Sequence, residues 1–156
     1  MDFQSAKSVL AALERERVRY AVFGAVALNL LGLPRFTKDL DLFIAPDADN
    51  IVRLKKALRS VFDDPHIEEI TADDLLGEYP AVQYVPPEGT FHLDMVTRLG
   101  EAFGFEDLET RRVPFDDLSV TVVTPRTLYG MKKGTVRLQE RADAEALRQH
   151  FGLKEE

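Results

Sequence analysis

Tyr20 to Ala45 reads YAVFGAVALNLLGLPRFTKDLDLFIA, and this stretch decides the fold. The apolar run Tyr20-Ala21-Val22-Phe23 suits a buried strand, Gly24 punctuates it, and Ala25 to Leu31 has helix-forming composition. The first backbone N–H groups of such a helix lack intrahelical partners and sit at its positive dipole end, so a phosphate is expected there. After the turn at Gly32-Leu33-Pro34, Asp39 to Ile44 alternates as a second strand bounded by Pro46. With a period of two, Leu40, Leu42 and Ile44 face one way and Asp39, Asp41 and Phe43 the other.

Two carboxylates at i and i+2 on one strand face repel each other unless a cation or donors compensate. A magnesium ion does so simply, because it prefers carboxylate oxygens and keeps positions for water and substrate phosphates. An isolated D-x-D pair describes the solvated face of an edge strand equally well. What shifts the reading is that strands disfavour Asp and that the pair follows a strand-Gly-helix pattern.

A two-metal site needs a third carboxylate on a neighbouring strand. Phe91 to Val96 is β-rich and follows Ala81 to Val85 across Pro86-Pro87-Glu88-Gly89, which reads as a hairpin. Asp94 is the acid in that strand, sharing a face with His92 and Val96. The structural alternative is a strand Asp paired with Arg98 or Lys38, and His92 reads as an ordinary strand histidine.

These residues resemble a known family. Gly24-Ala25, Arg35-x-Thr37-x-Asp39-x-Asp41 and the later Asp94 are similar to the nucleotidyltransferase fold of the DNA polymerase β type, especially its small bacterial and toxin-type members. The segment from Leu128 to Asp143 resembles the helical part that follows the sheet in those proteins. The resemblance covers most of the chain, with motifs at residues 24 to 45, 91 to 96 and 128 to 147. One departure is Ala25, where the family has a second Gly or a Ser.

The resemblance implies a metal-dependent enzyme that moves an NMP from an NTP to a hydroxyl acceptor. Two ions about 3.5–4 Å apart can stabilise the attacking and leaving oxygens of an in-line displacement. Asp39, Asp41 and Asp94 are then the catalytic and metal-holding residues, for two magnesium ions or manganese in their place. Asp94 is also the expected proton acceptor. Gly24 and Ala25 bind phosphate through the backbone, and Arg35 and Thr37 bring a cationic fork and a hydroxyl to the triphosphate. Lys132 is assigned to phosphate by the resemblance. Arg137 either reaches the same anion or pairs with Glu140 or Asp143. The acceptor, whether RNA, protein or small molecule, is left open, as is a toxin role. A homodimer or a small helical partner is expected to complete the acceptor site. The alternative is a non-catalytic nucleotide-binding or partner-interaction module.

The bulk properties fit one α/β (α+β) domain over 1–156, a central mixed sheet flanked by helices and followed by C-terminal helices. The chain of 156 residues is 45% apolar, enough for a substantial core. Zero cysteines exclude disulfides and thiolate zinc sites. A net charge of −7 argues against a broad nucleic-acid surface, although Arg111-Arg112, Arg126 and the run from Lys132 to Arg141 form local basic clusters. The start MDFQSAKSVLAALERERVRY lacks a signal-peptide pattern, and no apolar run approaches bilayer length, so a cytoplasmic location without membrane attachment is expected.

Further elements follow from periodicity. Helices are expected at Phe3–Glu16 and Asp49–Val61, the second capped by Asp47 or Asp49. A short strand is expected at Ile67–Ile70, a short helix at Ala72–Leu76 and a last strand at Leu118–Val123. Thr124 caps a helix starting at Pro125, and a final helix runs from Leu138 to His150 and stops at Gly152. Arg141 and Glu145 suit an i,i+4 pair. Leu99 to Pro114 reads as a mobile lid or a subunit contact.

Overall fold

The computed structural model describes residues 3–33, 37–71, 75, 81–87, 91–99, 103–132 and 138–153. Helix α1 (Phe3–Arg15) leads into strand β1 (Tyr20–Phe23), which passes at Gly24 into helix α2 (Gly24–Leu30). Strand β2 (Asp39–Ile44) and helix α3 (Ala48–Val61) follow, then strands β3 (Ala81–Tyr84) and β4 (His92–Val96). A small hairpin of β5 (Arg98–Leu99) and β6 (Phe103–Gly104) precedes β7 (Thr110–Phe115) and β8 (Leu118–Val123), and the chain closes with α4 (Pro125–Lys132) and α5 (Leu138–Phe151).

Six strands form one mixed sheet in the order β3-β4-β2-β1-β8-β7. The β2–β4 and β1–β8 pairs are parallel, and β3–β4, β1–β2 and β7–β8 are antiparallel. One face carries Tyr20, Val22, Leu40, Leu42, Ile44, Leu93, Met95, Val120 and Val122, all buried. α1 packs against α3 and β8, contributing Ala6, Val9, Leu10 and Leu13, while α3 contributes Ile51, Leu54, Ala57 and Leu58. α2 lies against β1, β2 and β8. Nearly the whole apolar set joins one contiguous core, as a single domain requires.

Caps end the elements where their chemistry predicts. Asp47 accepts from Asn50 N at 2.8 Å at the start of α3. Thr124 Oγ1 accepts from Thr127 N at 3.3 Å at the start of α4. Gly152, at φ +65°, turns the chain after α5 as the stop signal implies. Asn50 is buried yet satisfied: it accepts from Arg19 N at 2.7 Å and donates to Arg19 O at 2.9 Å and Ala45 O at 3.1 Å. It thereby ties the start of β1 to the end of β2.

Several expectations need correction. The strand expected at Ile67–Ile70 is a 3₁₀ turn over Pro65–Glu69. Asp64 accepts from His66 N and Pro65 presets the first turn, so local capping chemistry wins over the apolar pair. Leu99 to Pro114, expected as a mobile lid or a subunit contact, carries β5, β6, a 3₁₀ turn at Phe105–Asp107 and most of β7 among its described residues. Pro114 is tolerated in β7 because that strand is a sheet edge. Glu145 accepts from Arg148 and Gln149, and the expected Arg141–Glu145 pair lies outside the described side chains. Of Ala72–Leu76, only Leu75 lies within the described residues.

Candidate active site

Register brings the acids together. Asp41 pairs with Asp94 and Asp39 with His92 across the parallel β2–β4 ladder. Neighbouring strands stand about 4.8 Å apart, and registered residues share a face, so Asp39, Asp41, His92 and Asp94 form one polar field. Gln83 extends it, since β3 sets that residue opposite Asp94. Further along the strands the same face becomes apolar at Phe43 and Val96. The field is therefore confined to one end of the sheet.

Gly24 closes that end. Its φ of +71° favours glycine, and a Cβ built there would lie 2.0 Å from Asp41 Oδ2. The absent side chain is what lets the Asp41 carboxylate rest against the turn into α2. That helix opens without a side-chain cap on its first amides. Ala25 follows as the second helical residue, placing its backbone N–H in the same turn. Thr37 Oγ1 accepts from Asp39 N at 3.0 Å and donates to Asp39 O at 3.3 Å, so this hydroxyl fixes the start of β2.

The two outer carboxylates have partners across the strands. Gln83 Nε2 donates to Asp94 Oδ1 at 3.0 Å, in place of the Arg98 or Lys38 pairing expected as the structural alternative. His92 Nδ1 lies 3.4 Å from Asp39 Oδ1, with both side chains near 40–45% exposed. Sequence reasoning set His92 on the Asp94 face but read it as an ordinary strand histidine, and it passed over Gln83.

Arg35 and Arg137 lie outside the described residues. Lys132 is the last residue of α4, and its side chain is not among those described. The three carboxylates are hard oxygen donors of the kind that suits magnesium. Among the described residues, no three His, Cys, Asp or Glu side chains are gathered closely enough to enclose an ion as they stand. The donor set therefore suits a divalent cation in its chemistry, whereas its carboxylates as they stand lie against Gln83, His92 and the Gly24 turn.

A cleft of about 360 Å³ lies elsewhere, at the Tyr20 end of β1, lined by Glu14, Arg17, Arg19, Tyr20, Phe105 and Arg112 among others. Its charges are largely paired internally. Arg112 grips Glu14 through both terminal nitrogens at 3.0 and 2.7 Å, which commits one arginine of the Arg111-Arg112 cluster to structure. Arg19 pairs with Asp47 and Glu106. No aspartate pair lines this cleft, so the polar field at the other end is the better candidate.

A family model described as nucleotidyl transferase AbiEii toxin, Type IV TA system, matches residues 8–148. Among curated protein sequences, none matches. The fold is shared with two solved structures. One is a candidate nucleotidyltransferase from Thermotoga maritima, with a TM-score of 0.56, 14% identity, and coverage of 97% of this chain and 93% of that one. The other is an antigenic nucleotidyltransferase-like protein from Paracoccidioides brasiliensis, with a TM-score of 0.56, 19% identity, and coverage of 94% and 75%. The architecture is accordingly nucleotidyltransferase-like. Among the described residues, no helix is long and apolar enough to cross a membrane.

Proposed function

The chain belongs to the nucleotidyl transferase AbiEii toxin family, and from that premise we propose that it is a magnesium-dependent nucleotidyltransferase acting on a hydroxyl acceptor. The observation that carries this reading is the registered pair Asp41 and Asp94 on adjacent parallel strands, with Asp39 two residues before Asp41 on the same face.

Asp39 and Asp41 would hold the ions, with Asp94 completing the set and manganese as an alternative. When bound, such ions supply charge neutralisation at the attacking and leaving oxygens. The remaining work belongs to the chain. The acceptor oxygen forms its bond to the NTP α-phosphorus, the bond from that phosphorus to the pyrophosphate oxygen breaks, and the hydroxyl proton passes to Asp94. Asp94 has one oxygen occupied by Gln83, and its Oδ2 makes no hydrogen bond among the described residues. The backbone amides of Gly24 and Ala25 meet the departing phosphates, where the helix dipole favours negative charge. Arg35, Thr37, Lys132 and Arg137 are proposed to line the triphosphate path from the resemblance in their motifs.

The family is that of a toxin of a Type IV toxin–antitoxin system, which implies a counterpart antitoxin. RNA, protein and small molecules all present hydroxyl acceptors. A homodimer or a small helical partner would supply the acceptor-binding surface that one domain of this size leaves little room for.

The test incubates purified protein with each α-labelled NTP and magnesium in the presence of total cell RNA and protein. The wild type is expected to label one fraction, and Asp39→Asn/Asp41→Asn to label none while retaining its circular dichroism spectrum. Label transfer undiminished in the variant removes the assignment, and NTP binding without transfer in the wild type favours the non-catalytic module.

A further inference from the structure

The six-stranded sheet ends in β7 on one side and β3 on the other. An edge strand presents an outward row of backbone N–H and C=O groups, ready to pair with another strand unless charge or proline stands in the way. The two edges differ in that respect. β7 carries Arg111, Arg112 and Pro114, and the proline has no N–H to offer. β3 and the residues after it, Ala81-Val82-Gln83-Tyr84-Val85-Pro86-Pro87, carry no charge, and no proline interrupts the strand itself. Ala81 and Gln83 are exposed there, and Val85 is 47% exposed. We propose that β3 is the docking edge for β3 of a second copy of this chain, joining the two sheets in antiparallel array about a twofold axis.

Charge selects a second copy as the occupant. At a net −7, two copies repel one another over most of their surface, so they associate best through a contact that carries no charge. Among the described residues the other large exposed hydrophobic is Val52, at 63%. It stands on α3 close in sequence to Asp49, Arg53 and Lys56, so burying it would also desolvate charged groups. An identical strand is moreover self-complementary, since a twofold axis relates the members of an antiparallel pair of equals. A register centred on Gln83 sets Ala81 of one copy opposite the partner's Val85. Residues opposite each other share a face, so both polar fields lie on the same side of the joined sheet, with the two Asp94 residues about 14 Å apart across three strand spacings. This specifies the homodimer raised above and does not depend on catalysis. Five residues a side make a small contact, so the dimer is expected to depend on concentration rather than to be permanent.

Sedimentation equilibrium on the full chain, from low to high micromolar concentration, reads the dimer directly. Val85→Lys and Ala81→Lys each set two new cations into the pairing edge of the dimer and are expected to weaken it about tenfold. Val52→Lys is expected to leave it unchanged, and thermal melts check that all three variants fold. The chain has no cysteine of its own, so Ala81→Cys/Val85→Cys tests the register cleanly. Opposed residues on antiparallel neighbours have Cα atoms about 4.5–5.5 Å apart, within disulfide reach. Mild oxidation is expected to crosslink this variant into dimers and to leave Val52→Cys monomeric on a non-reducing gel. The proposal falls if the wild type is monomeric throughout, if both lysine variants at β3 dimerise as the wild type does, or if Val52→Cys crosslinks as readily. A dimer weakened by lysine but not crosslinked overturns the register centred on Gln83. Label transfer measured on the same preparations keeps the enzyme reading separate, because it can succeed or fail whichever way the dimer test goes.

Discussion

At the Tyr20 end of β1 the charges of Glu14, Arg19 and Arg112 are paired within the protein, whereas at the Phe23–Gly24 end three acids are gathered on one face of the sheet. Tyr20 donates its hydroxyl to Glu14 at 2.6 Å and accepts from Thr121 N at 3.2 Å. Arg112 joins Glu14, Ser119 and Thr121 in the same network, so α1, β1, β7 and β8 are locked by one set of bonds. Asn50 does similar work between Arg19 and Ala45. Across the four residues of β1, the other end sets Asp39, Asp41 and Asp94 on one face, with Gln83 donating to Asp94, His92 3.4 Å from Asp39 and the Gly24 turn against Asp41. Mutual satisfaction of polar groups stabilises the first end, whereas like charges gathered at the second repel one another. The same four-residue strand serves both because its direction separates them.

Gly24→Ala breaks the contrast most directly. The new Cβ would need space now filled by Asp41 Oδ2, at a backbone conformation that alanine resists. Displacing that carboxylate by about 1 Å is expected to lower nucleotidyl transfer about 10²-fold. The cost in folding is expected to be smaller, about 1–2 kcal/mol. Label-transfer rates and urea denaturation on the same preparation check both; an unaltered rate would show that Asp41 is not held by the turn.

Breaking the other end should do the reverse. Asn50→Leu strands the Arg19 N–H, while the Arg19 and Ala45 carbonyls each lose one donor but keep Ala45 N and Asp47 N, and it is expected to cost about 1–3 kcal/mol of stability. Tyr20→Phe removes one hydroxyl but leaves Glu14 gripped by Arg112, so about 1 kcal/mol is expected. Transfer measured well below the melting range should be unchanged in both, and a large fall in rate with Tyr20→Phe would blur the division.

The two ends differed just as much in how readable they were. Period-two alternation in Asp39–Ile44 and in Phe91–Val96 revealed the strands and the faces of their acids, because face assignment needs no tertiary knowledge. That Asp41 stands opposite Asp94 follows from ladder register, which no local pattern encodes. The reason for Gly24 was visible only in part: a glycine after a strand marks a turn, but the approach of Asp41 Oδ2 to its Cα is a tertiary fact. Asn50 and the Glu14–Arg112–Tyr20 network left no motif at all, since their partners lie 31 residues apart for Asn50 and Arg19 and 98 apart for Glu14 and Arg112. The 3₁₀ turn at Pro65 has a local signal in Asp64-Pro65, a capping pair that the strand expectation at Ile67–Ile70 left out of account. β7 was hidden by Pro114, whose presence argues against a strand unless that strand is known to be an edge.

The smallest effect expected concerns acid. Burial raises the Glu14 pKa, but hydrogen bonds from Arg112 and Tyr20 together with the nearby Arg112 charge outweigh it, so the net shift is below the usual glutamate value of 4.5. A carboxylate lowered in the folded state adds stability that is fully present above its unfolded pKa and disappears as pH falls through the folded one. Tyr20, whose hydroxyl is raised by burial and by Glu14, stays protonated throughout this range. Glu14→Gln should therefore be less stable than the wild type at pH 7, by less than about 1 kcal/mol for a partly exposed pair. The gap should close below pH 4.5 as Glu14 itself takes up a proton. Asp64 and Glu68 are also lowered, by Tyr84 and Arg59 respectively, so both proteins lose stability in acid and only the difference between them isolates Glu14. Urea midpoints at pH 7 and pH 3.5 measure that difference, and a gap that widened in acid would reverse the sign assigned to the pair.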